Sequence, residues 1–433
     1  MKTKMLMLGI PVLILGLTVP SLLSNEKFFE TKRTLASIDG CVFMTTMGTQ
    51  SSTGFEVYKT DQNIELAVRD GLYWLSKAQA TNGGYGAGSH SSQRIMDPHA
   101  VKADPATTAT VAMALLRSGN TIKKGDYAKN LKAAINYLLE TVENSPKDSP
   151  YITEVRGTQI QSKLGQNIDA VMTAQLLSNL LDRNLNGIDK KRVIRCLDIC
   201  ISKIEAGTDE NGRQKNAGWA GVLQSGLATS ALESAQAVGA TVNEEVIEKS
   251  KAYQKGNFDD ETGTVSTADG AGVMLYAVSG SVRGTAKDAR KAKEYIAKAK
   301  LEGKVQGVTV TAENLQKAGM NEAEAAEYAT SYNVYNAAKK RAQDEDVLDG
   351  FGNNGGEEFL SFLQTGESLV INKDNDWKDW YNSMSGRILK IQNEDGSWNG
   401  HHCITSPVFC TATSVLLLTV ENDIDFLSKV GED

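Results

Sequence analysis

The chain is poor in the residues that carry most enzyme chemistry. Its 433 residues include four histidines, five cysteines and five tryptophans, and aromatic side chains make up only 6%. So few aromatics argue against a cavity walled by rings that steady a cationic intermediate. Positive charge is scarce too, with 46 Lys+Arg against 53 Asp+Glu and a formal charge of -7. A nucleic-acid protein would show a basic face, and docking on anionic lipid needs a basic patch. No nucleic-acid partner is therefore expected, and membrane contact is expected only through the N-terminal segment. Five cysteines leave at least one thiol without a mate in the chain. No G-x-S-x-G elbow, P-loop, H-E-x-x-H or dinucleotide fingerprint is present. Beyond residue 25 no apolar run is long enough to span a bilayer.

The start of the chain differs from the rest. "MKTKMLMLGIPVLILGLTVPSLLSN" places two lysines before an uncharged run from Met5 to Asn25, the pattern of an export signal. Residues 1–24 are expected to be either a cleaved signal peptide or a retained N-terminal anchor, giving a periplasmic or secreted protein. Residues 25–62 read as a polar extension. Residues 63–433 read as one helical domain with an insertion at about 281–320.

Apolar residues recur at helical spacing through most of that domain, and strand signals are nearly absent. Two kinds of helix alternate. Segments such as "ELAVRDGLYWLSKAQ", "NLKAAINYLLETV" and "DKKRVIRCLDICISKIE" carry charge on one face and are expected to meet solvent. Segments such as "PATTATVAMALLRSG", "NIDAVMTAQLLSNLL" and "PVFCTATSVLLLTV" are uncharged nearly all round and need neighbours on every side. Six of each kind can be traced, and Gly/aromatic turns separate outer from inner helices in five of the six pairs, as in "QATNGGYGAG", "NAGWAG" and "QNEDGSWNG". Such self-similarity predicts a repeat architecture, and closing six hairpins into a ring covers every inner helix. Asp104-Pro105 and Ser406-Pro407 suit inner-helix starts, while Gly119, Gly239 and Gly280 suit their ends.

One turn carries a family signature. Gln392, Gly396 and Trp398 match the Q-x3-G-x-W core of the QW repeat of squalene and hopene cyclases, and Gln79, Gly83, Gly84 and Tyr85 form a close variant. Over roughly residues 63 to 425 the chain resembles the terpenoid cyclase and protein prenyltransferase superfamily. That resemblance implies an all-α fold, an (α/α)6 toroid, in which the repeat glutamine bonds a neighbouring helix end and the aromatic ring stacks over it. It gives Gln79, Tyr85, Gln392, Gly396 and Trp398 structural roles. The family's catalytic motifs do not carry over. The cyclase acid D-x-D-D-T-A is replaced by "DPATTA" at 104–109, with Ala106 and Thr107 at the central acidic positions. The prenyltransferase zinc pair D-x-C appears only as Asp198-Ile199-Cys200, inside an outer helix.

The histidines mark a candidate site. His90, His99, His401 and His402 fall in the loops of the first and last repeats, which become neighbours when a six-hairpin ring closes. Glu357 and Glu358, at the start of the fifth inner helix, border the same arc. Together these six are candidate ligand-binding residues. His99, His401, His402 and Cys403 are candidate ligands for a divalent metal such as zinc; Cys403 and Cys410 are spaced for a disulfide instead, or remain free. The histidines also suit plain hydrogen bonds to loop carbonyls, and the glutamates suit a helix N-terminus. Asp259, Asp260 and Glu261 suit either calcium or an exposed turn. Arg213 and Lys215, ahead of Trp219, suit either an anionic ligand or a solvated loop.

Three functions fit these observations. The first is binding of a small hydrophobic molecule in the central cavity, or of an extended polymer there or at the rim, without catalysis established. The second is an enzyme, a metal-assisted hydrolase or lyase at the histidine rim or an isoprenoid-processing protein. The third is an interaction protein of the cell envelope that uses its outer helices and the insertion. The oligomeric state is not readable from the sequence.

Overall fold

The computed structural model describes residues 62–183, 187–350 and 355–432; the leader, the extension and Cys41 lie outside them. The described residues form helices joined by turns, with isolated β-bridges and no named strand. Six hairpins are present. Their outer helices are α1 (Gln62–Lys77), α3 (Ala128–Glu143), α6 (Lys190–Gly207), α8 (Glu244–Lys255), α11 (Glu322–Arg341) and α14 (Trp377–Leu389). Their inner helices are α2 (Pro105–Arg117), α5 (Ile168–Asp182), α7 (Gly221–Ala237), α9 (Met274–Leu301), α13 (Gly356–Ile371) and α15 (Pro407–Leu418). Short helices α4 (Gln159–Leu164), α10 (Ala312–Ala318), α12 (Glu345–Leu348) and α16 (Ile424–Val430) complete the set.

Each inner helix packs on the next, and α15 packs back on α2, so the array closes into an (α/α)6 toroid. Every residue of α2 is buried, as a helix without a charged face requires. The starts are capped as their sequences suggest: Asp104 accepts from the Thr107 amide at 2.8 Å and Ser406 from the Phe409 amide at 3.4 Å.

The glutamine turns hold the ring together in two equivalent places. Gln392 Nε2 donates to Gly396 O at 2.9 Å and to Ala67 O of α1 at 3.0 Å, joining the last repeat to the first. Gln79 Nε2 makes the same pair of bonds, to Gly83 O at 2.8 Å and to Asn130 O of α3 at 2.9 Å. Both glycines have left-handed φ, +87° for Gly396 and +86° for Gly83. A Cβ there would lie 2.9 Å from the Asp70 backbone or 2.7 Å from Ala133 O, so only glycine lets the turn lie against the next outer helix. Tyr85 and Trp398 are fully buried, and each backbone amide donates to an inner-helix threonine, Thr108 or Thr411.

The insertion differs from the sequence reading. Gly280 does not end the fourth inner helix; α9 runs unbroken through it to Leu301. A Cβ on Gly280 would lie 2.9 Å from Val222 Cγ2, so this glycine serves close packing of α9 on α7 rather than termination. The far half of α9 joins α10 and α11 around a small second core that includes Ile296, Val310 and Leu315. The extra residues after 280 therefore begin as a continuation of the ring, not as a separate surface helix.

The two mouths of the ring differ. At the C-terminal ends of the inner helices Asp423 Oδ2 accepts from Arg117 Nε at 2.6 Å and its other oxygen pairs with Arg183. Arg117 also reaches Glu367 at 2.6 Å, and Arg290 Nη1 donates to Ser428 O at 2.6 Å. Residues 420–430 thus brace that end. The other mouth, at the inner-helix N-termini, carries the loops and the candidate residues. No helix of the described residues is long and apolar enough to cross a membrane.

Candidate functional site at the N-terminal mouth

The fifth inner helix begins with two carboxylates because Glu357 and Glu358 occupy its first turn, where unpaired backbone amides favour negative charge. Glu358 caps its own helix, accepting from the Gly355 amide at 2.8 Å, and its other oxygen takes the Tyr276 hydroxyl at 2.7 Å. His402 Nε2 lies 3.7 Å from that same oxygen. Glu357 accepts from the Ile404 amide at 3.1 Å, and the Cys403 thiol lies close enough for each to shift the other's pKa. Both side chains are 1% exposed. Burial pushes both carboxyls above their ordinary range, and the charge of Glu358 pushes Glu357 further.

The last-repeat loop is anchored by the second repeat. Gln159 of α4 accepts from the amides of Thr405 at 2.7 Å and Ser406 at 3.1 Å. The Thr405 hydroxyl donates to Gln93 O at 2.6 Å, linking the loops of the last and first repeats. These bonds hold Cys403 at φ +59°, a backbone that a non-glycine residue adopts at a cost of about 1–2 kcal/mol.

Beside Cys403 lies Lys163, also on α4, whose charge favours the thiolate. Its Nζ sits 3.7 Å over the ring of Trp219, close enough for a cation–π contact. His90 also approaches this group, 6.2 Å from Trp219 between ring centroids, with Nδ1 2.8 Å from Gln93 Nε2. Burial, then the Lys163 charge, lowers the His90 pKa. Trp219 is 64% exposed, whereas Trp377, Trp380 and Trp398 are at most 2% exposed. It borders a cleft of about 330 Å³ lined also by Arg213, Lys215, Asn216 and Asp269.

Glu357, Glu358, His402 and Cys403 thus meet, with His90 one ring away. His99 and His401 do not join them. Both are exposed, and the His99 amide instead serves the Asp97 side chain at 2.9 Å. Among the described residues no group of three or more His, Cys, Asp or Glu side chains converges as a metal site. The reason lies in the pairing: His402 turns to Glu358 and Cys403 to Glu357, so the four donors proposed from sequence do not point at one centre. Burial, then the Glu357 charge, pushes the Cys403 thiol up to about 12, so it is neither a ready ligand nor a ready nucleophile at neutral pH. The Cys403–Cys410 bridge is not formed, and both thiols are free. Cys410 is buried in the first turn of α15 and directs its sulfur to Ile404 O at 3.4 Å. Asp259 binds the amides of Glu261 and Thr262, as a polar turn does.

Two features escaped the sequence reading. Helix α4, source of Gln159 and Lys163, had a visible signal in its capping box, since Thr158 and Gln161 bond each other's backbone amides. Tyr276 had none, because its link to Glu358 spans 82 residues.

The ring interior is not a greasy channel at every level. Gln364 of α13 reaches α7, across the position of α9 between them, and a Cβ on Gly226 would lie 2.6 Å from its Oε1. Its amide is buried and finds no hydrogen-bond partner.

No family profile matches the chain, and no curated protein matches it. Among solved structures, a glycosidase variant matches with a TM-score of 0.43 and 12% sequence identity, covering 84% of this chain and 100% of that one.

Proposed function

We propose that the chain binds an extended polymer, a polysaccharide, at the N-terminal mouth of its ring. The observation that carries this reading is Trp219, a large ring left 64% exposed beside a polar cleft. An indole offers an apolar face for the C–H face of a sugar ring, and its edge stays wet. Asn216, Arg213 and Asp269 in the same cleft supply donors and acceptors for hydroxyls. A small hydrophobic ligand in the central cavity is less well supported, since Gln364 places an amide across the interior.

Affinity electrophoresis through gels containing soluble polysaccharides tests the proposal. At least one polymer is expected to retard the protein, and Trp219→Ala to abolish the retardation without changing the circular dichroism. Equal mobility in every gel, or retention by the variant, would overturn it.

A second reading, an enzyme that cleaves the bound polymer, is favoured by one observation. Glu357 and Glu358 lie in adjacent positions with unlike partners, Cys403 and Ile404 for one, Tyr276 and His402 for the other. Burial raises both carboxyls, Glu357 to about 7, and a carboxyl poised there suits general acid work. New chain ends on a bound polymer, lost in Glu358→Gln, would establish it. The relation to the terpenoid cyclase superfamily is proposed as one of scaffold, supported by the matching bonds of Gln79 and Gln392. Export is proposed from the pattern of residues 1–24, with residues 25–62 as an N-terminal extension and residues 63–433 as one toroid domain.

A further inference from the structure

We infer that the polymer bound at Trp219 is anionic, an acidic saccharide whose carboxylate or sulfate oxygens are met by Lys163 and Lys215; this rests on the reading of Trp219 as a sugar platform. The chain as a whole is negative, with a formal charge of -7, so a local concentration of cations stands out against it. Around the indole the signs are reversed. Lys163 lies 3.7 Å over the ring, and Lys215 and Arg213 line the cleft beside it.

The acidic groups facing this patch are each occupied. Asp269 takes the guanidinium of Arg213 at 2.5 Å and the Tyr253 hydroxyl at 2.9 Å. Asp209 is spent on its own turn, accepting from the amides of Asn211 and Arg213, both at 2.9 Å. Glu357 is bonded to Ile404 and kept high in proton affinity by burial. Neither Lys163 nor Lys215 forms an ion pair with a carboxylate among the described residues. Lys215 donates to Ala206 O at 3.0 Å, which uses one of the three donors of an ammonium. Lys163 buries most of its stem, with 3% of the residue exposed, as amphipathic lysines do.

The arrangement divides the work. Lys163 fills one face of Trp219, so a sugar ring takes the open face. The anionic groups along the polymer then meet Lys215 in the cleft and the positive field of Lys163 at the ring edge. Two ammonium groups beside a stacking platform select an acidic polymer over a neutral one of the same shape, because the neutral chain leaves both without a counter-charge.

Calorimetric titration of the whole chain with two matched pairs tests this: dextran sulfate against dextran, and oligogalacturonate against its methyl ester. At least one charged member is expected to bind roughly tenfold or more tighter than its neutral partner, the size of a charge-assisted hydrogen bond, with the advantage shrinking as salt rises. Whichever pair shows it identifies the group as sulfate or carboxylate. Lys215→Gln, at an exposed position, is expected to lose that advantage and keep the neutral affinity. Lys163→Gln is expected to do the same, with Lys163→Arg restoring it. Equal affinity within both pairs, or an undiminished preference in Lys215→Gln, overturns the charge inference and leaves the Trp219 platform standing. Failure of all four polymers to bind overturns the platform as well.

Discussion

Asp169 sits fully buried against Asp104 at the start of α2, where it accepts from the Ala106 amide at 3.0 Å and from Gln161 Nε2 at 2.7 Å. Burial, then the charge of Asp104, pushes its pKa from 3.8 up to about 7. A carboxyl whose folded pKa exceeds its unfolded value binds more protons when native, so stability falls as pH rises between the two values. Urea midpoints are therefore expected to decline from about pH 4 towards pH 7, the interval set by those two values. Asp169→Asn keeps an oxygen acceptor for the Ala106 amide, loses the one that Gln161 uses and removes the titration, so its midpoint starts lower but should decline less. Parallel declines in the two proteins would show that other groups set the pH response. Glu357 and Glu358 act with the same sign, since burial raises both, and Glu357→Gln should flatten the curve further.

At the level of helices, glycine has opposite meanings in two outer elements, and stability measurements can separate them. In α1 a Cβ on Gly71 would lie 3.0 Å from the Trp398 ring and 3.1 Å from Val415, where the last repeat packs on the first. Gly71→Ala should therefore destabilise by about 1–3 kcal/mol, the cost of overpacking. In α14 a Cβ on Gly386 meets nothing within 4 Å, so Gly386→Ala should stabilise by about 0.5–1 kcal/mol through helix propensity alone. A loss at both sites would mean that α14 is packed more tightly than the structure shows. The same contrast explains what was legible in the sequence. Charge on one face told outer helices from inner ones, and Asp104-Pro105 and Ser406-Pro407 marked two starts, because those signals are local. Gly280 looked like a helix end because its packing on Val222 depends on α7, which no local pattern reveals. The site was half legible for the same reason: Glu357, Glu358, His402 and Cys403 stood out by residue type and repeat position. Lys163 and Tyr276 acquire meaning only when α4 and α9 are folded beside them, and His99 and His401 shared the right loops but not the contacts.

For the whole molecule the decisive feature is that the last repeat packs on the first. Gln392 ties the last turn to Ala67 at one seam position, and Asp423, behind the last inner helix, ties it to Arg117 of the first. These links span 325 and 306 residues, so each contributes only after all six hairpins are in place. An open array unravels from its ends, each repeat being held by its neighbours alone; a closed one has no free end. Asp423 is 1% exposed, and burial raises its proton affinity less than Arg117 and Arg183 lower it, leaving its pKa depressed. Removing it by Asp423→Ala leaves the buried Arg117 guanidinium with Glu367 and Leu416 O, and breaking such a pair costs about 3–5 kcal/mol. Because the loss falls on closure, it should move the whole unfolding transition: far-ultraviolet dichroism and tryptophan fluorescence should still coincide, at a lower denaturant concentration. Two separated transitions, with the C-terminal repeat melting first, would instead show that the seam is a local clasp and that the ring is stable while open.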